Sequence, residues 1–340
     1  MKKTIIIAEA GVNHNGDINS AKKLIDVAAE ANVDYVKFQT FKAENLVSKK
    51  ARMASYQKQN INATSDSQYE MLKSLELSHE DHVELCNYSE SKGVKFFSTA
   101  FDVEGLEYLD QLGLELFKSP SGEITNYPYL KKLSELGKPV ILSTGMADMD
   151  EIRQAVDVLI SGEIRKEDIT VLHCNTQYPT PMKDVNLKAM NSIANELGVA
   201  IGYSDHTLGI EVPIAAVALG ATVIEKHFTL SRDLPGPDHK ASLEPDELKL
   251  MVSAIRNIDQ AISGDGIKRA SPSEIDNKEV ARKSIHTSRK IEAGEIINSN
   301  DLIALRPGNG ISPMKWDMVI GKRSTKTLYA YHLLEEGDYI

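Results

Sequence analysis

From the N-terminus to about residue 263, short apolar runs rich in β-branched residues alternate with longer stretches of helical periodicity. The runs are Ile5–Ala8, Tyr35–Thr40, Val94–Ala100, Leu116–Pro120, Pro139–Gly145, Ile169–Asn175, Val199–Asp205 and Thr222–Thr229. Between them lie amphipathic stretches such as Ala21–Ala31, Asp150–Ile160, Leu187–Leu197 and Glu244–Ile262. This alternation is the pattern of βα units around a parallel sheet. Eight units in about 260 residues match the size and strand count of an α/β TIM (β/α)8 barrel. An open doubly wound sheet also alternates, but it often places a glycine-rich phosphate loop after its first strand. Here Glu9-Ala10-Gly11-Val12-Asn13-His14-Asn15-Gly16 follows, which is no dinucleotide fingerprint.

After Ser263 the texture changes. Gly264-Asp265-Gly266, Ser271-Pro272-Ser273-Glu274 and a charged stretch to Arg282 read as a linker over 264–282. Residues 283–340 hold only short runs and turns, which predicts a small, irregular or β-rich module near the size where a core alone is marginal. The expected organisation is therefore a barrel over 1–263, a linker, and a second module over 283–340.

Composition narrows the function. The 49 Asp+Glu outnumber the 39 Lys+Arg, giving a net charge of −10, which excludes a nucleic-acid-coating protein. No run approaches the roughly 18 apolar residues of a membrane helix, and the opening Met1-Lys2-Lys3 leads too quickly to acid for a signal peptide. Cys86 and Cys174, the two cysteines, have no metal spacing. A cytoplasmic protein without membrane partners is expected.

The chemistry of a TIM barrel sits at the C-terminal ends of its strands. Those ends are polar throughout: Glu9 and Asn13, Lys37 and Gln39, Ser98 and Thr99, Lys118 and Ser121, and then Glu123. Ser143 and Thr144, Asn175 and Tyr178, Ser204 and His206, Glu225 and His227 complete the ring. Buried parallel strands should read as apolar runs, so polar residues on all eight predict one large polar site. His206 and His227 end neighbouring strands, where two neutral imidazoles suit a divalent ion such as Mn²⁺, Co²⁺ or Zn²⁺; the competing account makes each a hydrogen-bonded core histidine, and His239 lies near enough to compete. Lys37 and Lys118 sit inside apolar strands and need anionic partners. They are an electrostatic clamp for phosphate and carboxylate, a Schiff-base site, or structural partners of Glu9 or Glu123. Glu9 and Glu123 are acid/base candidates. Ser121-Gly122, Ser143-Thr144-Gly145 and Ser204 offer hydroxyls and helix-start N–H groups to a phosphate.

Several strings resemble the sialic acid synthase family: Ala8-Glu9-Ala10-Gly11-Val12-Asn13-His14-Asn15-Gly16, Val36-Lys37-Phe38-Gln39-Thr40, Pro120-Ser121-Gly122-Glu123 and His173-Cys174-Asn175-Thr176-Gln177-Tyr178-Pro179. Gly202-Tyr203-Ser204-Asp205-His206-Thr207, Glu225-Lys226-His227-Phe228-Thr229, Gly236-Pro237-Asp238 and Arg306-Pro307-Gly308-Asn309-Gly310 continue the match in order, through a C-terminal antifreeze-like (SAF) domain. The resemblance implies a metal-dependent condensation of phosphoenolpyruvate with N-acetylmannosamine and water, giving N-acetylneuraminate and phosphate. In those terms Lys37, Thr99, Lys118, Ser121, Tyr178 and Ser204 correspond to phosphoenolpyruvate contacts, with Asn175 or Thr176 adjoining. Gln39 belongs to the same substrate-binding set. His206 and His227 correspond to ligands of Mn²⁺, or of another ion such as Mg²⁺ or Co²⁺. Glu9 and Asp238 would meet sugar hydroxyls or the metal's water, and Glu123 the reacting carbons. The resemblance further implies a domain-swapped homodimer in which Arg306 reaches the N-acyl group in the partner's barrel. Ala100 and Gln177 depart from the family pattern, where proline and glutamate are common.

Four other functions are open. Legionaminic acid synthesis would use 2,4-diacetamido-2,4,6-trideoxymannose as the acceptor, and suits the opening Ile6 to Asp17 equally well. A 3-deoxy-sugar phosphate synthase would want an additional arginine cluster for its acceptor's phosphate, which the sequence lacks. A Schiff-base sialic acid lyase would need only one lysine. A non-catalytic binding module would leave the polar ring unexplained.

Overall fold

In the computed structural model, which describes residues 3–61 and 65–340, each of the eight apolar runs carries a strand, the first extending past its run to Gly11. They are β1 (Ile5–Gly11), β2 (Tyr35–Thr40), β3 (Lys95–Ala100), β4 (Phe117–Ser119), β5 (Val140–Ser143), β6 (Ile169–Cys174), β7 (Ala200–Asp205) and β8 (Val223–His227). All ladders are parallel, in the order β3-β2-β1-β8-β7-β6-β5-β4. The outer strands of this order, β3 and β4, approach with Cα atoms within 8 Å, bringing the sheet round into a barrel. A helix follows every strand, from Ile18–Glu30 after β1 to Pro245–Ala261 after β8.

Local chemistry explains the helix ends. Asp148 accepts hydrogen bonds from the N–H groups of Asp150 and Glu151, which start Met149–Ser161; that helix buries Ile152, Ala155, Val156 and Leu159 at helical spacing. Pro245 occupies the first turn of the helix after β8, where its missing N–H costs nothing. The helices cover the sheet with one apolar layer that includes Leu24, Ile25, Leu106 and Leu248, all fully buried.

One element is not visible in the periodicity. Between β2 and its helix His79–Ser91 the chain makes an excursion through three short helices, Ala43–Leu46, Ser55–Asn60 and Gln68–Lys73. Each spans fewer than two turns, too short for an apolar stripe to declare itself. The excursion builds a separate apolar cluster from Val12, Phe41, Met71 and Leu75.

Residues Gly264–Ile340 form a second compact unit. Its strands β9 (Ser284–Thr287) and β10 (Leu302–Leu305) pair antiparallel. Ile285, Ile291, Ile297, Leu302, Ile311, Val319, Leu328 and Leu334 make a core of their own. The stretch read as linker contains the exposed helix Ile275–Ala281. Among the described residues, no helix is long and apolar enough to cross a membrane.

Candidate active site

Strand register assembles the polar ring. Glu9 stands opposite Lys37 on one side and His227 on the other. Ser204 stands opposite Cys174 and Glu225. The β1–β2 ladder shifts between Glu9 and Gly11, and Gly11 adopts φ +52°. A Cβ on Gly11 would lie 3.2 Å from Glu9 Oε1 and 3.2 Å from His227 Cε1, so glycine is what leaves room between these two side chains. Together the strand ends enclose a cavity of about 510 Å³. Its polar lining includes Glu9, Lys37, Gln39, Thr99, Lys118 and Ser121, and Thr176, Tyr178, Ser204, His206, Glu225 and His227; Tyr56 and Gln57 of the excursion line it as well.

At its centre two carboxylates face two ammonium groups. Lys37 Nζ lies 2.6 Å from Glu9 Oε2 and 3.7 Å from Glu225 Oε2, and donates to Thr99 Oγ1 at 2.9 Å. Lys118 Nζ donates to Glu225 Oε1 at 3.2 Å, an oxygen that also accepts from Ser204 Oγ at 3.2 Å. All four charged side chains are buried. Burial alone would neutralise them, but the two lysines outweigh it at Glu225 and hold that carboxyl below the usual range. At Glu9 burial prevails over Lys37, and the neighbouring Glu225 charge adds to it, so this carboxyl is raised. Lys37 remains raised because Glu225 and Glu9 together exceed its desolvation; Lys118 is lowered by burial despite Glu225. The cluster is charge-balanced with Glu225 as its anionic hub. Glu9 is the carboxylate that takes a proton more readily.

The imidazoles of His206 and His227 lie beside this cluster with ring centroids 5.4 Å apart. Tyr178 stacks on His206 at 4.0 Å and stands edge-on to His227 at 5.5 Å; Tyr56, from the excursion, stacks on Tyr178 at 5.0 Å. Burial depresses both histidines, His206 to about 4, so both are neutral near pH 7. The Asn175 carbonyl engages His206 Nδ1 and leaves Nε2 available; His227 Nδ1 is buried with no hydrogen-bond partner. Two neutral rings with an open nitrogen each suit a divalent ion completed by water or substrate oxygens. Among the described residues no group of three or more His, Cys, Asp or Glu is arranged to hold an ion, so an ion bound at these two rings would need further oxygens from water or substrate.

A second chamber of about 290 Å³ adjoins the first and shares eight lining residues with it, among them Gln39, Tyr56, Gln57, Phe101, Tyr178 and His227. Glu123 and Asp238 line this chamber rather than the lysine-bearing one. Glu123 accepts from Asn126 Nδ2 at 2.5 Å and is raised by burial. Asp238 is pushed up to about 7 by burial, with Glu9 contributing. A carboxyl raised in the folded state favours folding while protonated. Its contribution is present below its ordinary pKa of 3.8 and is lost as pH rises through about 7. Asp238→Asn should therefore match the wild type in melting temperature in acid and exceed it above neutral pH. A constant difference across the pH range would contradict the assignment.

Other candidates lie elsewhere. The Asn175 side chain accepts from Gln177 N at 2.8 Å and lines neither chamber; its backbone carbonyl orients His206. His239 is a core histidine whose Nδ1 meets Thr229 Oγ1 at 2.7 Å. Arg306 is an exposed residue of the second unit, directly after β10. Glu225 and Tyr56 are the residues that sequence reasoning undervalued. The first had a signal in its place at a strand end; the second had none.

The class of the protein follows from its relatives, which are synthases of sugar acids. The chain belongs to the sialic acid synthase family: the NeuB family model matches residues 24–268 and the SAF domain model residues 282–330. It is 52% identical over 336 residues to the N,N'-diacetyllegionaminic acid synthase of Campylobacter jejuni, covering 99% of this chain and 100% of that one. It is 48% identical to the enzyme of the same name from Legionella pneumophila, covering 96% and 91%. The crystal structure of N-acetylneuraminic acid (sialic acid) synthetase from Leptospira borgpetersenii in complex with citrate matches with a TM-score of 0.70 and 34% identity, over 81% of this chain and 90% of that one.

Proposed function

We propose that this enzyme condenses phosphoenolpyruvate with 2,4-diacetamido-2,4,6-trideoxymannose and water to give N,N'-diacetyllegionaminic acid and phosphate. The observation that carries the reaction is the convergence of Lys37, Lys118 and the His206–His227 pair on one cavity. The acceptor is favoured by the 52% and 48% identities to synthases of that product. N-acetylmannosamine, giving N-acetylneuraminate, is the second reading, favoured by the Leptospira borgpetersenii structure.

Phosphoenolpyruvate is a compact polyanion in a chain of net charge −10, so local cations must hold it. Lys37 and Lys118 supply them, with hydroxyls from Thr99, Ser121 and Ser204; Thr176 lines the same wall. Ser121 Oγ accepts from Gly145 N at 2.9 Å and lies 3.3 Å from Cys174 Sγ, which leaves its hydroxyl proton for the thiol or for a substrate oxygen. Mn²⁺ or a similar ion held by His206 and His227 would supply Lewis acidity at the sugar's aldehyde oxygen. The chain's own residues set the encounter: Gln39 and Tyr178 border both chambers, so the C3 of phosphoenolpyruvate and the aldehyde carbon meet where they stand. The new C–C bond moves the aldehyde's π pair onto its oxygen, which takes a proton to become a hydroxyl, and leaves C2 cationic. Water adds at C2 and loses one proton; the adduct then expels phosphate by C–O cleavage as its remaining hydroxyl proton leaves to form the keto group. Glu9, raised by burial, takes the proton of that water on its carboxylate. Arg306 of a partner copy would contact an N-acyl group, as the family resemblance suggests.

Phosphate release assayed in parallel with the two sugars tests the reading; turnover with N-acetylmannosamine alone would overturn the preferred acceptor. Exhaustive chelation should abolish turnover and Mn²⁺ should restore it, whereas His227→Ala should no longer respond to added metal. Activity that survives chelation, with a lysine adduct trapped by borohydride, would instead support a Schiff-base lyase.

A further inference from the structure

We infer that Tyr56 is a positioning residue of the imidazole pair: by stacking on Tyr178 it fixes the ring planes of His206 and His227, and so sets their affinity for a divalent ion from a segment outside the barrel. This inference deepens the reading above and rests on its assignment of the ion to these two rings.

The Asn175 carbonyl anchors the Nδ1 edge of His206. One hydrogen bond does not fix the plane of an imidazole, because the torsion that turns the ring is broad and follows whatever packs against it. What packs against it is Tyr178, whose ring lies 4.0 Å from that of His206 at an interplanar angle of 29°. The same phenol stands at 81° to His227, 5.5 Å away, so one ring bears on both imidazoles. Tyr178 is itself only half-buried, and its other stacked neighbour is Tyr56, 5.0 Å away at 18°. One face of a ring has no room for two stacked partners at these separations, so Tyr178 is held between Tyr56 and His206.

Three pieces of chain build this column. His206 follows β7, Tyr178 follows β6, and Tyr56 belongs to the excursion helix Ser55–Asn60. Six residues are too few for a helix to hold itself, so contacts with the barrel place it. Tyr56 and Asn60 are four residues apart and share a face of that helix. Tyr56 meets Tyr178, and Asn60 Nδ2 donates to the Pro237 carbonyl at 2.6 Å. Together they fasten the excursion to the loops after β6 and β8. Asn60 lines neither chamber, so its influence on the ion passes through the helix and its tyrosine.

The full-length enzyme, stripped of metal, is titrated calorimetrically with Mn²⁺ alone, with neither substrate present. Tyr56→Phe, which keeps the ring, should bind as the wild type does. Tyr56→Leu, apolar but without a ring, should bind roughly threefold to tenfold more weakly, the range that a stacked aromatic pair spans. Asn60→Ala should weaken binding as well, and adding it to Tyr56→Leu should cost nothing further, because both act through one stack. Wild-type affinity in Tyr56→Leu would overturn the inference. So would equal weakening in Tyr56→Phe and Tyr56→Leu, or additive losses in the double variant. A tyrosine that only met the sugar would raise the KM for the acceptor and leave Mn²⁺ binding unchanged. His206→Ala and His227→Ala bear on the reading above instead: undiminished Mn²⁺ binding in both would remove the ion from these rings. Binding lost in both but unchanged in Tyr56→Leu would defeat this inference alone.

Discussion

Lys37→Met should lower kcat/KM for phosphoenolpyruvate by roughly thirtyfold to a few thousandfold, corresponding to the roughly 2–5 kcal/mol lost when one partner of a buried, hydrogen-bonded charge pair is truncated. The loss should appear mainly in KM. The cavity balances two carboxylates against two ammonium groups; removing Lys37 leaves Glu9, Glu225 and Lys118. Glu225 keeps Lys118 at 3.2 Å, whereas Glu9 loses the ammonium 2.6 Å away. The Glu9 carboxyl, already raised, must rise further. Where it is protonated the variant can still admit the substrate; as pH rises through its new pKa, a carboxylate faces an incoming polyanion. KM should therefore climb with pH more steeply in the variant than in the wild type. Thr99→Val, which removes only the hydroxyl that accepts from Lys37 at 2.9 Å, serves as the control. It should cost about 1 kcal/mol, or some fivefold. A Lys37→Met enzyme that binds phosphoenolpyruvate normally at every pH would refute the clamp.

Why the lysines were legible in the sequence and their hub was not follows from geometry. Lys37 and Lys118 interrupt apolar strands, and a buried lysine declares its need for an anion wherever it occurs. Likewise His206 and His227 end consecutive strands, which a closed barrel must place side by side. The Lys118–Glu225 contact is different. β4 and β8 are separated by three strands in the sheet order, so the contact crosses the barrel interior. Chain order gives no measure of such a distance; it depends on barrel closure and stagger. The Tyr56–Tyr178 stack is hidden for another reason. Tyr56 rides on a helix of six residues, which carries no readable periodicity, and reaches the site only because the excursion folds back over the mouth. Asn175 shows a third limit. Its side-chain chemistry suggested a ligand, yet its contribution to His206 comes from a backbone carbonyl that every residue type possesses.

Lys226→Met should destabilise the barrel by about 3–5 kcal/mol, the usual cost of stranding one member of a buried ion pair. At about 2–4 °C per kcal/mol, this corresponds to a fall of roughly 6–20 °C in Tm. Side chains alternate across a strand. Ser204 and His206 on either side of Asp205, and Glu225 and His227 on either side of Lys226, line the cavity, while Asp205 and Lys226 occupy the opposite face. There Lys226 Nζ meets Asp205 Oδ2 at 2.5 Å, with both side chains fully buried. Asp205 also accepts from Thr207 N and Thr207 Oγ1, each at 3.0 Å, and Lys226 donates to the Thr207 carbonyl. The pair thus fastens β7 to β8 and fixes the turn after His206, from behind the two imidazoles. Replacing only the lysine leaves an anion in an apolar layer. Adding Asp205→Asn removes that anion and keeps an oxygen for Thr207, so the double variant should recover much of the lost Tm. Turnover should not recover with it, because the Lys226 bond to the Thr207 carbonyl is still missing and the His206 turn is free to shift. Thermal unfolding of the two single variants and the double variant, with Mn²⁺ affinity measured on each, separates these effects. Additive losses of Tm would show that the two side chains act independently, and wild-type Mn²⁺ affinity in the double variant would show that the pair does not position His206.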